Sequence, residues 1–179
     1  MGRRWNQQNG RQPSGTGVAR PLGLLILLAG LALLAQWFNQ PASGPSLSGS
    51  AQVIDGDSLR VAGRELRLKG LDAPEGRQTC QRDGRDWPCG EAAADRLRAL
   101  TFRRTTTCEV VETDRYNRGL AFCKAEGEDI NARMVADGMA VSFGSYSREE
   151  ADARAAKRGL WSGTFEKPQD WRRRNGVGR

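Results

Sequence analysis

Residues 53–75 read VIDGDSLRVAGRELRLKGLDAPE, and the predicted fold rests on this stretch. Two short β-like runs, Gln52–Ile54 and Ser58–Val61, lie on either side of an Asp-Gly-Asp turn at 55–57. A third run, Glu65–Leu71, follows directly. We predict that the third run pairs antiparallel with the second.

The third run alternates apolar and polar residues, which is the period of a strand with one buried face. Leu66, Leu68 and Leu71 should therefore face the core. Arg67 should lie on the opposite face. Pro74 then ends the strand, because proline has no N–H to donate to a neighbouring strand.

The rest of the chain completes an α+β pattern. Its periodicity predicts a helix over 91–102 and strands over 105–111 and 119–125. Capping signals indicate a helix over 129–137 that begins at Asp129, and a last helix that opens with a Ser147–Glu150 capping box. Three strands, a helix, two strands and two helices fit a five-stranded OB-type barrel with about three helices. We place this domain at residues 50–171.

An apolar segment at 21–38 precedes the domain. It carries no charge, four arginines and no acidic residue come before it, and it is about long enough to cross a bilayer. We predict a single-pass transmembrane anchor in the cytoplasmic membrane, with residues 1–20 in the cytoplasm and the domain on the outer side. Residues 39–49 read as a flexible linker. Cleavage as a signal peptide, followed by secretion, is the alternative, although bulky Trp37 and Phe38 suit an anchor better.

Charge is concentrated at the two ends of the chain. The formal net charge is +7, but the segment from 55 to 161 is formally neutral. The basic tail at 172–179 could attract phosphates, or could be a solvated end. The chain has no histidine, which excludes Ser-His-Asp triads and histidine-based zinc or acid–base sites.

Four cysteines lie in the predicted exported domain. An even number outside the cytoplasm indicates disulfides. Three pairings are possible, and local pairing of Cys80 with Cys89 and of Cys108 with Cys123 is the simplest. A metal site lacks CxxC spacing and histidine, and a catalytic thiol lacks a base.

Two acidic clusters flank the predicted hairpin. They are Asp55-Gly56-Asp57 and Asp72-Ala73-Pro74-Glu75, and antiparallel pairing would place both at the same end. Converging carboxylates bind hard divalent cations. Taken singly, each cluster is also an ordinary turn sequence.

Two arginines change this balance. Arg67 lies on the polar face of the strand that leads to Asp72, and Arg118 lies on a turn beside Tyr116. Carboxylates and arginines without histidine suit phosphodiester hydrolysis around a metal, since guanidinium groups hold the phosphate and a carboxylate takes a proton from water. Singly, each arginine could equally be a salt-bridged surface residue.

The four segments VIDGDSLRV, LRLKGLDAPE, DRYNRGLAFC and GLW, in this order, resemble the staphylococcal-nuclease (thermonuclease-like) family. The resemblance covers about residues 50–171. It implies an SNase-like barrel and a hydrolase that acts on ester bonds. The expected activity is that of a calcium-dependent endonuclease that cleaves DNA and/or RNA with little sequence specificity and leaves a 3′-phosphate.

The resemblance also implies roles for the carboxylates. Asp57 and Asp72 match the carboxylate ligands of the calcium ion, and Ala73 matches a residue that offers its backbone carbonyl. Glu75 matches the proposed general base. Asp55 would orient a metal-bound water from behind the ligands.

The same comparison assigns the substrate contacts. Arg67 and Arg118 match the two arginines that grip the scissile phosphate. Tyr116 matches a tyrosine that contacts the nucleotide, and Tyr146 is a candidate for a second stacking position. Asn117 stands where the family often has glycine, and asparagine suits a positive φ there.

One segment departs from the family pattern. Gly76–Cys89 carries two cysteines in place of a flexible lysine-rich loop, directly after Glu75. A disulfide there would rigidify the loop that carries the base. A non-catalytic, membrane-anchored module that binds nucleic acid or the envelope is the alternative function. A part in envelope or exopolysaccharide assembly is a third, although few aromatic residues are available to stack on sugars. A monomer is expected.

Overall fold

The computed structural model describes Gly2, residues 19–38 and residues 44–177. The chain forms two compact units, Met1–Ala42 and Ser43–Arg179. The first contains helix α1 (Ala19–Phe38). Across the described parts of the chain, no helix is long and apolar enough to cross a membrane. Most of the predicted cytoplasmic segment, part of the predicted linker and the last two residues of the basic tail lie outside the described residues.

The second unit is built on a seven-stranded mixed sheet with the order β1-β8-β9-β4-β3-β2, and β10 pairs with β9. Its strands are β1 (Ser46–Gly49), β2 (Ala51–Val53), β3 (Ser58–Val61), β4 (Arg64–Leu68), β8 (Thr106–Thr113), β9 (Gly119–Ala125) and β10 (Glu128–Asp129). Two small sheets pair β5 (Leu71–Asp72) with β11 (Val141–Ser142) and β6 (Cys80–Arg82) with β7 (Arg85–Trp87). The sheet and its helices fit an OB-like α+β fold.

The predicted hairpin is confirmed. Strands β3 and β4 pair antiparallel, with Ser58 opposite Arg67. Leu66, Leu68 and Leu71 are buried in the core. Strand β4 also runs parallel to β9, so that Arg67 lies opposite Leu120. This pairing brings the turn before β9 next to the start of β4.

The helices of the second unit are α2 (Cys89–Thr101), α3 (Ile130–Ala136), α4 (Ser147–Ala155) and α5 (Pro168–Asn175), with a 3-10 turn at Gly159–Ser162. The predicted apolar stripe of α2, at positions 93, 97 and 100, is buried. Asp129 caps α3 as predicted, because its side chain accepts a hydrogen bond from the backbone N–H of Ala132 at 2.9 Å.

The predicted capping box of α4 is wrong. Tyr146 occupies the N-cap position in a left-handed conformation (φ 67°), and its side chain makes no capping hydrogen bond. Ser147 is already inside the helix. Glu150 instead accepts a hydrogen bond from Ser142 Oγ at 2.7 Å, a contact with β11 that local sequence spacing does not encode.

Three structured segments were not predicted. Strand β1 lies inside the predicted linker and pairs with β8, so the prediction of a linker up to residue 49 is wrong at its end. The β6–β7 hairpin forms within the cysteine-bearing segment. Helix α5 covers the start of the predicted basic tail. Strand β1 and the short β10 also raise the strand count of the main sheet above the predicted five.

Both local disulfides are present. Cys80 bonds to Cys89, and Cys108 bonds to Cys123. The second pair lies directly opposite in the β8–β9 register, where neighbouring side chains on one face meet. The first pair joins the β6–β7 hairpin to the start of α2.

Candidate active site

The β3–β4 hairpin brings the two predicted metal carboxylates to one arginine. Arg67 Nη2 lies 2.6 Å from Asp57 Oδ2 and 2.8 Å from Asp72 Oδ1. Both aspartates are only 4% exposed, whereas the Arg67 side chain is 20% exposed. Arg67 therefore reaches from the buried carboxylates toward solvent. In the low dielectric of a buried site, these charges interact far more strongly than they would in water.

Asp57 is held from several sides. Its Oδ1 accepts a hydrogen bond from Ser58 Oγ at 3.1 Å, and its Oδ2 accepts one from the backbone N–H of Ala73 at 3.2 Å. Its own N–H donates to Asp55 Oδ1 at 3.0 Å, which closes the Asp-Gly-Asp turn. Burial raises the pKa of Asp57 to about 7, while the positive charge of Arg67 opposes that rise.

A pocket of about 840 Å³ opens in front of this group. Of the predicted site residues, Asp55, Arg67, Asp72, Glu75, Tyr116 and Arg118 line it. Asp57 and Ala73 are buried and do not line it, although Asp57 contacts the lining residue Arg67. The hairpin and the parallel β4–β9 pairing thus bring the predicted acidic, arginine and tyrosine positions to one cleft.

Glu75 is positioned by contacts with Gln78 and Gly90 that the sequence analysis did not predict. The buried Gln78 side chain accepts a hydrogen bond from the Glu75 backbone N–H at 3.3 Å and donates to Glu166 O at 2.7 Å. Gly90 at the start of α2 approaches so closely that an added Cβ would lie 1.7 Å from Glu75 O. Only glycine allows α2 to begin against this loop.

Arg118 is oriented by Asp114 at the other side of the cleft. Asp114 accepts hydrogen bonds from the backbone N–H groups of Tyr116 and Arg118 and from Arg118 Nε, each at 2.9 Å. Asn117 has φ 63°, which agrees with the predicted positive φ. The Tyr116 ring is half exposed, with the Arg118 guanidinium 5.4 Å from its centroid.

The structure does not bring Tyr146 into the cleft. Tyr146 packs against the hydrophobic core, and burial raises the pKa of its phenol, together with the nearby charge of Asp129. Phe143 lines the pocket instead and is 62% exposed. The sequence indicated only that a second aromatic residue, Phe143, lies three positions before Tyr146. Which of the two rings faces the cleft depends on the β5–β11 pairing, which local sequence does not encode.

Arg172 is the main site residue that the sequence analysis missed. Helix α5 places it in the pocket, where its Nη1 donates to Asp72 Oδ1 at 2.9 Å and to Glu75 Oε1 at 2.8 Å. Its Nη2 donates to Asp72 Oδ2 at 3.0 Å. Although burial opposes it, these hydrogen bonds raise the pKa of Arg172 above its usual value. The assignment of this residue to a basic tail is therefore wrong.

The donor chemistry of the cleft fits a hard divalent cation. Asp57 and Asp72 converge on a single cationic nitrogen, and carboxylate oxygens are the ligands that calcium prefers. Within the described residues, no group of three or more His, Cys, Asp or Glu side chains is arranged to hold a metal ion. Any further ligands would have to come from backbone oxygens, such as that of Ala73, or from water.

Comparison with known sequences assigns the chain to a family. The family described as "Staphylococcal nuclease homologue" matches residues 65–163, which is more than half of the chain. The chain belongs to this family. The matched region of this nuclease homologue includes Arg67, Asp72, Glu75 and Arg118, and it ends before α5.

Relatives of this nuclease homologue differ in the names they carry. The chain is 36% identical over 139 residues to the "Succinoglycan biosynthesis protein ExoI" of Rhizobium meliloti, covering 73% of this chain and 72% of that protein. It is 26% identical to an "Uncharacterized endonuclease" of Haemophilus influenzae, covering 85% and 87%. It is 33% identical to the "Probable staphylococcal-like nuclease CAN2" of Oryza sativa, but the match spans only 31% of that protein.

Proposed function

We propose that the protein is a calcium-dependent nuclease that hydrolyses phosphodiester bonds of DNA and/or RNA with little sequence specificity. The observation that carries the proposal is the convergence of Asp57 and Asp72 on Arg67, in the same cleft as Glu75 and Arg118. The family membership and the nuclease names of several relatives support it.

The chain's own residues divide the chemistry of the cleft. Arg67 and Arg118 approach it from β4 and from the turn before β9, so their guanidinium groups can hold one phosphate between them. These donors would stabilise the additional negative charge that develops at phosphorus. Glu75 would take a proton from the attacking water.

Different residues of the cleft would bind the cation and the nucleotide bases. Asp57, Asp72 and the backbone of Ala73 would hold calcium, which when bound supplies polarisation of a phosphoryl oxygen. Tyr116 and Phe143 present exposed rings at the cleft, and such rings stack on bases without reading their identity. This arrangement favours single-stranded or frayed substrates.

The site of action is proposed on separate grounds. The apolar segment 21–38, preceded only by basic charges, is the sequence feature behind the proposed export of the nuclease unit from the cytoplasm. The proposal does not rest on a membrane-spanning helix, since the described residues contain none long and apolar enough to cross a bilayer. The two disulfides of the second unit agree with an oxidising compartment. Release after signal cleavage would place the same unit in the same environment.

Hydrolysis of labelled single-stranded DNA by the full-length protein in mild detergent tests the proposal. Glu75→Gln keeps the shape of the side chain but removes the base. We expect calcium-dependent cleavage by the wild type and a rate about 10²–10⁴-fold lower in the variant. Chelation of calcium should abolish cleavage.

Glu109→Gln provides the matched control, because Glu109 is an exposed glutamate on β8 that does not line the cleft. Its rate should equal that of the wild type. A folded wild-type protein that binds single-stranded DNA but cleaves nothing with calcium would refute the nuclease and favour the binding module.

A further inference from the structure

We propose that Arg172 is a built-in cation that competes with the metal for Asp72 and also holds the proposed base Glu75, so that calcium binds as Arg172 leaves. The inference rests on the proposed function, since it concerns the same carboxylates. Arg172 touches Asp72 through both carboxylate oxygens and Glu75 through one, at 2.8–3.0 Å. Among the described residues, Glu75 forms an ion pair with Arg172 alone.

The acceptor positions of the two aspartates show why competition follows. A carboxylate offers about four lone-pair positions. Asp72 Oδ1 accepts from both Arg67 and Arg172, and Oδ2 accepts from Arg172. Three of the four positions of Asp72 are therefore occupied, two of them by Arg172. Calcium takes six to eight oxygen ligands. While Arg172 stays in place, Asp72 has about one acceptor position left for the ion, and its departure would free two more.

Asp57 does not relieve this shortage. It accepts hydrogen bonds from the backbone of Ala73 and from Ser58 Oγ, and the Arg67 guanidinium lies 2.6 Å from its Oδ2, so little of this carboxylate is open to a further ligand. Arg67 lies on β4, paired with β3, and the Ala73 backbone directly follows β5, so both donors belong to the strands that carry the carboxylates. Arg172 is the one donor of this set that comes from a separate C-terminal helix.

Helix α5 is tied to the rest of the second unit at its start and through Arg172. Its first residue, Pro168, is buried, and the preceding Glu166 O accepts a hydrogen bond from Gln78. Beyond that point, Arg172 is 23% exposed, whereas the next residue, Arg173, is 74% exposed and pairs only with Asp170 on the same helix. The start of α5 is thus anchored to the sheet unit, and Gln169 and Arg172 of this helix line the cleft.

The contact also involves the proposed base. Arg172 Nη1 donates to Glu75 Oε1 at 2.8 Å, so this oxygen is occupied by the guanidinium while Arg172 is in place. Displacement of Arg172 by calcium would release Glu75 in the same step. Metal binding and activation of the base would then be one event.

Calcium titration by calorimetry of the full-length protein tests the inference with Arg172→Gln beside the control Arg173→Gln. Arg172→Gln should bind calcium about tenfold or more tightly than the wild type, since a lost charge-assisted contact is worth at least that factor. Arg173→Gln should match the wild type. Arg172→Lys keeps the charge but not the two-pronged geometry, so its calcium affinity should lie between those of Arg172→Gln and the wild type.

A second measurement, made first on the wild type, keeps the inference testable even if a variant does not fold. Calcium should speed hydrogen–deuterium exchange in the peptide covering 168–175, because α5 loses its contacts with Asp72 and Glu75. In Arg172→Gln, calcium should leave that exchange unchanged.

Equal or weaker calcium affinity in Arg172→Gln, or no change in wild-type exchange, would overturn the competition. If DNA cleavage by the wild type persists in that case, the proposed nuclease stands without it. Absence of calcium binding by all four proteins would overturn both the inference and the calcium requirement.

Discussion

At the scale of single residues, the cleft depends on charges that are buried together. Arg67 satisfies two nearly buried aspartates, and removing one partner of such a group leaves the others uncompensated, at a cost of about 3–5 kcal/mol. Loss of activity in an Arg67 or Asp57 variant therefore combines a folding effect with a chemical one. Glu75, at the edge of the group, is a cleaner position for testing catalysis.

Asp114 supplies a pH-dependent contribution to stability. Burial opposes it, but hydrogen bonds from Arg118 and Tyr116 lower the pKa of Asp114 below its ordinary value of 3.8. The folded state therefore prefers the ionised form, and its stabilisation is present above about pH 4 and lost as the pH falls through the lowered pKa. Asp114→Asn should reduce the free energy of unfolding at pH 7 by about 1–2 kcal/mol.

Urea unfolding at pH 7 and near pH 3 checks this prediction. The gap between the variant and the wild type should shrink at the lower pH. Asp152→Asn, at an exposed aspartate on α4, should show no such change. A gap that stays constant with pH would show that Asp114 acts through its shape and not its charge.

At the scale of elements, the segment after Glu75 is a stapled hairpin. The β6–β7 hairpin is tied by Cys80–Cys89 to α2, and Gly90 of α2 packs against the Glu75 backbone. The disulfide thus lies next to the loop that carries the proposed base. The Cys108–Cys123 disulfide lies within the β8–β9 pair, away from that loop.

Replacing each pair by alanines separates the two roles. Loop-closure entropy predicts a similar loss for both, about 2–3 kcal/mol in the free energy of unfolding. Only Cys80→Ala with Cys89→Ala should also lower the rate of DNA cleavage, because only that pair holds the Glu75 loop. Denaturant unfolding and initial rates on the folded proteins give the two readouts. Equal rate losses in both double variants would mean that the staple has no special link to Glu75.

At the scale of the whole molecule, the net charge of +7 does not describe the charge of the segment that contains most of the cleft. The segment from 55 to 161 is formally neutral, and most basic side chains of α5 pair with acidic neighbours. We therefore expect few phosphate contacts, mainly those of Arg67 and Arg118. For two contacts to a single strand, log K should fall with log salt at a slope of about −1.4.

Binding of labelled single-stranded DNA by Glu75→Gln, at fixed calcium and increasing sodium chloride, measures this slope without turnover. Arg118→Gln should reduce it by about 0.7. Glu109→Gln in the same background should not alter it. A slope steeper than about −4 would show that the basic ends of the chain bind the strand, contrary to the prediction.

Local patterns in the sequence determined the hairpin and most of the cleft. The alternation at 65–71 determined which face of β4 is buried. Antiparallel pairing of β3 with β4 across a short turn then placed the two acidic clusters at the same end of the hairpin. The stripe of α2 and the cap of α3 were equally local, because helix periodicity and capping involve residues three or four positions apart. The short cysteine spacings favoured the two disulfides that are present.

Only the tertiary structure decided which distant side chains enter the cleft. Arg172 meets Asp72 across 100 residues, and Gln78 meets Glu166 across 88. No periodicity encodes such contacts, so Arg172 was indistinguishable from its neighbours in a basic tail. The choice of Phe143 over Tyr146 likewise follows from the β5–β11 pairing, and β1 forms because β8 offers it an edge. Short-range spacing fixes which face of an element is apolar, whereas packing between elements fixes what each polar side chain touches.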